Sequence, residues 1–182
     1  MNIKYKLELL FCKILHKDDM EIRIAYYRKK GAEIGKNVRA FSPITAAEPY
    51  LLKVGDYTTI SSGVVFLTHD NSVIKFTIRM GTDLVGRVTI GNNCFIGCNT
   101  IFLPGVTVGN NIIIGAGSVV SKSCLEDGAI YAGNPAKKIG LVEDFASKNK
   151  KYVFDFEPSG HRLSYEQRKE LIKENSSKLI KK

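Results

Sequence analysis

Few side chains in this 182-residue sequence could take part in group transfer. There are three histidines, His16, His69 and His161, and four cysteines, Cys12, Cys94, Cys98 and Cys124. Histidine exchanges a proton near neutrality without any special environment, which makes it the first candidate for a general base. Most histidines are structural or simply solvated, so position has to single one out. His69 lies in the stretch FLTHDN, immediately before a strict sequence repeat breaks off. The cysteines form no Cys-x-x-Cys pair and read as free thiols. Cys98 is the rival candidate, as a covalent nucleophile, but no histidine stands near it in sequence to activate it. Asp70 follows His69 directly. Neighbours on a strand point to opposite faces, so Asp70 reads as an acceptor contact or a loop cap rather than as the group that orients the imidazole.

The element that must position these residues is a repeat of six. Large apolar residues recur at Ile90, Ile96, Phe102, Val108, Ile114 and Val120, and Gly91, Gly97, Gly109 and Gly115 follow four of them. The register extends back to Val54, Ile60 and Phe66. A period of six fits neither a 3.6-residue helix nor simple alternation. It fits short strands joined by tight turns, one apolar residue of each strand pointing inward, with three strands making a triangular coil and coils stacking as in a solenoid. Cys94 and Cys124 fall four positions after core residues, in a slot otherwise filled by Thr58, Thr100, Val106 or Ser118, and read as core filler.

Between residues 31 and 141, from GAEIGKNV to GNPAKKIG, the sequence resembles the hexapeptide-repeat acyltransferases. The resemblance implies a mainly β fold: a left-handed parallel β-helix of hexapeptide repeats, an exception to the right-handed crossover rule, with flanking N- and C-terminal α-helices. It implies acetyl-CoA as cosubstrate, with no metal, and a homotrimer whose active sites lie between neighbouring subunits. His69 occupies the place where the family keeps its catalytic histidine. A thioester is already activated, so one imidazole accepting the hydroxyl proton suffices for direct transfer without an acyl-enzyme. By the same resemblance Cys98, Ala116 and Ser121 stand where relatives line the pantetheine arm. Lys137, helped by Lys138, stands where they meet the nucleotide phosphates. A second basic position three residues after the first is Gly140 here, a departure from the pattern. The stretch FLTHDN with a basic N-terminal helix looks most like transferases of capsule, lipopolysaccharide and exopolysaccharide sugars. That makes a sugar or polysaccharide hydroxyl the expected acceptor. An N-acetyltransferase of amino-sugar nucleotides and a non-catalytic β-helix assembly subunit remain the alternatives. A zinc site needing three histidines is excluded, because His16 and His161 fall in the flanking segments.

The spacing fails twice. Ile34 and Val54 are separated by 20 residues, around Pro43 and Pro49. Phe66 and Ile90 are separated by 24, with Ser72 unable to serve as core although Ile78 and Leu84 fall in register. The preferred reading is an excursion loop over about 71–86, with Asp70, Asn71 and Arg79 as acceptor contacts. The sequence divides into an N-terminal helical segment (1–30), the β-helix (31–141) and a C-terminal tail and helix (142–182). Within the first, residues 2–15 read as an amphipathic helix with Ile3, Leu7, Leu10, Ile14 and Leu15 as its stripe. It would pack on the coil end or another subunit, or make a peripheral membrane contact. Residues 19–30 read as a helix capping the first coil, and 164–182 as a helix capped by Ser164 with Gln167. The net charge of +9 is spread over both ends and interleaved with acids, which argues against nucleic acid. With no clean signal-peptide core and no membrane-length apolar run, the expected location is cytoplasmic.

Overall fold

A computed structural model describes residues 3, 6, 7, 10 and 19–180. The chain divides into two compact units, Met1–Val142 and Glu143–Lys182. The first is a parallel β-helix with three faces. Glu33–Ile34, Leu52–Val54, Val88–Ile90 and Thr107–Val108 stack as the first face. The second comprises Arg39–Ala40, Thr59–Ile60, Phe95–Ile96, Ile113–Ile114 and Ala129–Ala132, then Lys137–Leu141 in antiparallel pairing. Thr45–Ala46, Val65–Phe66, Ile101–Phe102 and Val119–Val120 form the third. Strands of successive coils pair in parallel, one residue to one, as in Phe66↔Phe102↔Val120.

The inward residue of each hexad forms the core. Ile60, Phe66, Ile90, Ile96, Phe102, Val108, Ile114 and Val120 are all buried, and the Phe66 and Phe102 rings stack at 5.1 Å. Such stacking adds about 0.5–1.5 kcal/mol to the burial itself. Where glycine follows the core residue it lets the coils close on one another: a Cβ at Gly91 would stand 2.3 Å from the Gly109 carbonyl oxygen. The small slot four residues on holds hydroxyls and thiols. Thr100 Oγ1 donates to the Gly97 carbonyl at 2.8 Å and Ser118 Oγ to that of Gly115 at 2.6 Å, so the buried hydroxyls are satisfied. Cys94 and Cys124 are buried there too. Burial raises both thiol pKa values, that of Cys124 to about 11, which keeps them protonated.

The first irregularity in the repeat has a simple structural origin. Ala40 and Ala46 continue the six-residue register from Ile34, and the interval from Ala46 to Val54 is then eight. Two extra residues enter at the corner between the third and first faces, where Pro49–Leu51 forms a 3-10 turn. The second irregularity is a hairpin. His69–Asp70 pairs antiparallel with Leu84–Val85, and a 3-10 turn (Asn71–Val73) and a short helix (Ile74–Thr77) lie between them. Ile78 and Leu84, although in register by arithmetic, are 88% and 55% exposed and take no part in the core.

Helix α1 (Met20–Lys29) caps the first coil, burying Ile24 and, against amphipathic expectation, Arg23. The Arg23 guanidinium donates to the Ala40 carbonyl and pairs with Asp19. Ile3, Lys6, Leu7 and Leu10 have helical backbone and are exposed; the rest of the stripe expected over 2–15, with Cys12 and His16, lies outside the described residues. The second unit holds α3 (Tyr165–Glu174), which follows α2 (Val142–Asn149). Ser164 and Gln167 form the anticipated capping box, with Gln167 N donating to Ser164 Oγ at 3.3 Å. The helix stops at Glu174 rather than running to the terminus. Asn175, Ser176 and Ser177, weak helix formers, follow it, and a 3-10 turn covers Ser176–Lys178. Phe154 and Phe156 stack at 5.9 Å, and His161 is exposed in this unit. Among the described residues no helix is long and apolar enough to cross a membrane.

Candidate active site

His69 sits where the third face turns towards the first, two residues beyond the last residue to pair in the coil direction. Leu67 N still donates to the Phe102 carbonyl, and Gly86 N donates to the Thr68 carbonyl where the hairpin rejoins the coil. The imidazole therefore stands on the base of the hairpin, anchored on both sides to rigid solenoid.

One coil below, the two-residue insertion carries Glu48. Its carboxylate oxygens lie 3.0 and 2.9 Å from His69 Nδ1. The same carboxylate accepts a short hydrogen bond from Thr68 Oγ1, and Thr68 Oγ1 accepts from Glu48 N at 3.2 Å. Thr68 is 1% exposed, so this second partner is fixed by the core. A carboxylate can only accept, which places the neutral ring's proton on Nδ1 and leaves the Nε2 lone pair free. The pair also shifts both titrations. Hydrogen bonding from His69, then from Thr68, holds the Glu48 carboxyl below its usual range; the Glu48 hydrogen bond and charge raise the His69 imidazole above 6.5. With its side chain 41% exposed, the imidazole is open to a substrate. The arrangement is a proton acceptor of fixed tautomer and raised basicity.

Glu48 was not among the residues read from the sequence. The signal was present in the interval of 20 residues between Ile34 and Val54, but only the coil register shows which residue the extra length carries. Asp70 has a different local role: its Oδ1 accepts from Ser72 N at 2.8 Å and caps the turn at Asn71–Val73. Asn71 Nδ2 donates to the Thr82 carbonyl at 2.8 Å and to Asp83 Oδ1 at 3.0 Å, tying the two arms of the hairpin together. Arg79 is exposed near the hairpin tip.

The residues assigned to the cosubstrate border the third face. Cys98 and Ala116, both exposed, stack one coil apart at its corner with the second face, where Gly117 N donates to the Cys98 carbonyl at 2.8 Å. Ser121 lies at the opposite corner, the one that carries His69, two coils and so roughly 10 Å further along the axis. Beyond the last coil the chain crosses this face, with Ala136 N donating to the Val119 carbonyl at 2.8 Å, and Lys137 follows. Lys137 and Lys138 differ. The Lys138 ammonium is 2.6 Å from Glu126 Oε1, whereas Lys137 is exposed without a comparable partner among the described residues. Half-buried Ile101 and Val119 form the outer surface of the face between them.

The site is thus a hexad solenoid interrupted by a hairpin that bears an oriented imidazole. The bacterial transferase hexapeptide family (six repeats) matches residues 87–122. Protein CapG of Staphylococcus aureus is 43% identical over 143 residues, 76% of this chain and 81% of that protein. The galactoside O-acetyltransferase of Escherichia coli is 33% identical over 121 residues, covering 66% of this chain and 58% of the enzyme. A solved galactoside acetyltransferase in complex with coenzyme A superposes with a TM-score of 0.56 at 23% identity, over 90% of this chain and 92% of that one, and shows the shared fold. The chain belongs to the hexapeptide-repeat acyltransferases, and its coil is the left-handed β-helix of that family.

Proposed function

We propose that the protein transfers an acetyl group from acetyl-CoA to a hydroxyl of a sugar or polysaccharide precursor, with His69 as general base. The observation that carries this reading is the Glu48 carboxylate 2.9 Å from His69 Nδ1, which leaves Nε2 as the open proton acceptor. Nε2 takes the proton of the acceptor hydroxyl as its oxygen attacks the thioester carbonyl. The tetrahedral intermediate collapses with loss of the CoA thiolate, and the imidazolium returns the proton to the sulfur. Glu48 stabilises the transient imidazolium and keeps the ring from rotating.

Acetyl-CoA lies along the third face. Cys98, Ala116 and Ser121 line the pantetheine arm, Ile101 and Val119 offer it an apolar floor, and Lys137 meets the phosphates. The hairpin, with Asp70, Asn71 and Arg79, lies on the acceptor side. The acceptor class rests on the likeness to the galactoside O-acetyltransferase and on the FLTHDN stretch. The working form is a homotrimer in which a neighbouring flank completes each site. The test is a screen of methyl hexopyranosides and amino sugars, following free thiol released from acetyl-CoA. Thiol release that depends on a sugar hydroxyl supports the proposal. Release only with amino acceptors, or with none, rejects it.

A further inference from the structure

The insertion that supplies Glu48 also supplies Tyr50, and Tyr50 has no role in the chemistry described above. Two relations bring its backbone to the corner that carries His69. Along the chain it is two residues from Glu48, in the 3-10 turn Pro49–Leu51 that Glu48 precedes. Across coils, Leu52 pairs with Val88, so the segments that lead into these two strands, with Tyr50 on one and Gly86 on the other, share a corner. Gly86 directly follows Val85, and Val85 is the residue paired with His69 in the hairpin.

The surroundings of Tyr50 are unusual for a solenoid corner. Below it stands Gly31, where a Cβ would come within 2.9 Å of Tyr50 Cβ; with φ at +92° that position is suited to glycine on both counts. Above it stand Gly86 and then Gly105, a Cβ on the former falling 2.4 Å from the nitrogen of the latter. Glycines thus recur along the corner at which Tyr50 stands. Its base is held by close backbone packing while the residue is 57% exposed. Val85 and Leu84, on the hairpin strand opposite His69, are 63% and 55% exposed. The corner that carries the open imidazole therefore presents three exposed apolar or aromatic residues, Leu84, Val85 and Tyr50.

From this arrangement we infer that Tyr50 is the platform for the acceptor, stacking on the C–H face of a pyranose ring while a ring hydroxyl is presented to His69 Nε2. This rests on the proposed sugar acetyltransfer and specifies its acceptor subsite. A pyranose offers one apolar face and a polar rim. A tyrosine pinned at its Cβ supplies a flat amphipathic surface at little entropic cost, and the hydroxyl-bearing rim is left for the polar hairpin residues. Tyr50 is a specificity-determining residue in this scheme; it exchanges no proton.

The experiment compares two acceptors in full-length protein: methyl β-galactopyranoside, which has a ring face, and glycerol, which has hydroxyls but no ring. Tyr50→Ala is expected to raise KM for the pyranoside about 10-fold while leaving KM for acetyl-CoA and the rate with glycerol within about two-fold. Tyr50→Phe, which keeps the ring, should stay within about two-fold of wild type for both acceptors. Tyr50→Leu, which keeps apolar bulk on the Gly31 contact, should resemble the alanine variant and serves if that variant does not fold. An unchanged pyranoside KM in the Leu or Ala variant overturns the inference, as does an equal loss with glycerol, which would mean that Tyr50 acts through Glu48. If the wild-type protein acetylates neither acceptor nor any other sugar hydroxyl, the proposed function itself fails, and the two failures are distinguishable.

Discussion

The Glu48 carboxylate and His69 Nδ1 stand 2.9 Å apart although 21 residues separate them. They meet because one full coil, lengthened by the two-residue insertion at the corner, brings position 48 under position 68, and the Glu48 side chain reaches the imidazole of the next residue. The contact fixes the tautomer, and the tautomer decides which nitrogen is available to a substrate.

A pH dependence follows with a definite sign. His69 acts as a base only when neutral, and Glu48 raises its pKa above 6.5. Activity should therefore be low in acid and rise with pH through an apparent pKa above that value. Glu48→Gln removes the charge that favours the imidazolium, so the acid limb should move to lower pH. Turnover should also fall, on the order of 10²-fold, because the ring is no longer held in one tautomer. The pH profile of kcat/KM for the two proteins checks this; an unmoved limb would mean that the carboxylate does not control the imidazole.

The two lysines at the end of the β-helix should not contribute equally. Lys138 is paired with Glu126 at 2.6 Å, while Lys137 carries the charge free for a phosphate. Lys137→Ala should raise KM for acetyl-CoA several-fold, less so at high salt because a point charge at the surface is screened. Lys138→Ala should have the smaller effect. Initial-rate measurements at two ionic strengths separate the cases.

The hairpin should affect the acceptor rather than the cosubstrate. Arg79→Ala is expected to raise the acceptor KM and spare that for acetyl-CoA. Asn71→Ala, which unties Thr82 and Asp83 from the opposite arm, should lower kcat by loosening the strand that carries His69. If both variants instead raise the KM for acetyl-CoA, the hairpin belongs to the CoA groove.

The core is tested by Phe102→Ala. Phe102 is 0% exposed and stacked on Phe66, so truncation opens a cavity between two coils. The expected loss is about 3–5 kcal/mol, read from the urea midpoint.

The solenoid was legible in the sequence because each coil repeats one requirement, a large inward residue followed by room for close backbone contact. Ile90 to Val120 supply the inward residue at every sixth position, and glycine follows it at four of the six. The lowest coil was hidden because Ala40 and Ala46 fill its inward positions, and alanines do not stand out against background composition. Ile78 and Leu84 show the opposite failure: both keep the arithmetic register, yet the chain leaves the coil after Thr68 and exposes them. His69 stood out as a candidate from its place at the break together with the family resemblance. Glu48 did not, since a partner in the neighbouring coil becomes visible only when the register of both coils is known. Asp70 and Asn71 were read from the sequence as acceptor contacts at an excursion loop, and their bonds to Ser72, Thr82 and Asp83 depend on a fold of the hairpin that no repeat encodes.

The most direct test of the central claim is His69→Ala, assayed for thiol release with a sugar acceptor alongside acetyl-CoA binding and thermal unfolding. The imidazole is partly exposed at the base of the hairpin, so the unfolding transition and the affinity for acetyl-CoA should remain close to wild type. Turnover should fall by roughly 10²–10⁴-fold. A variant that binds acetyl-CoA normally and turns over at a near wild-type rate would contradict the assignment of His69 as the base.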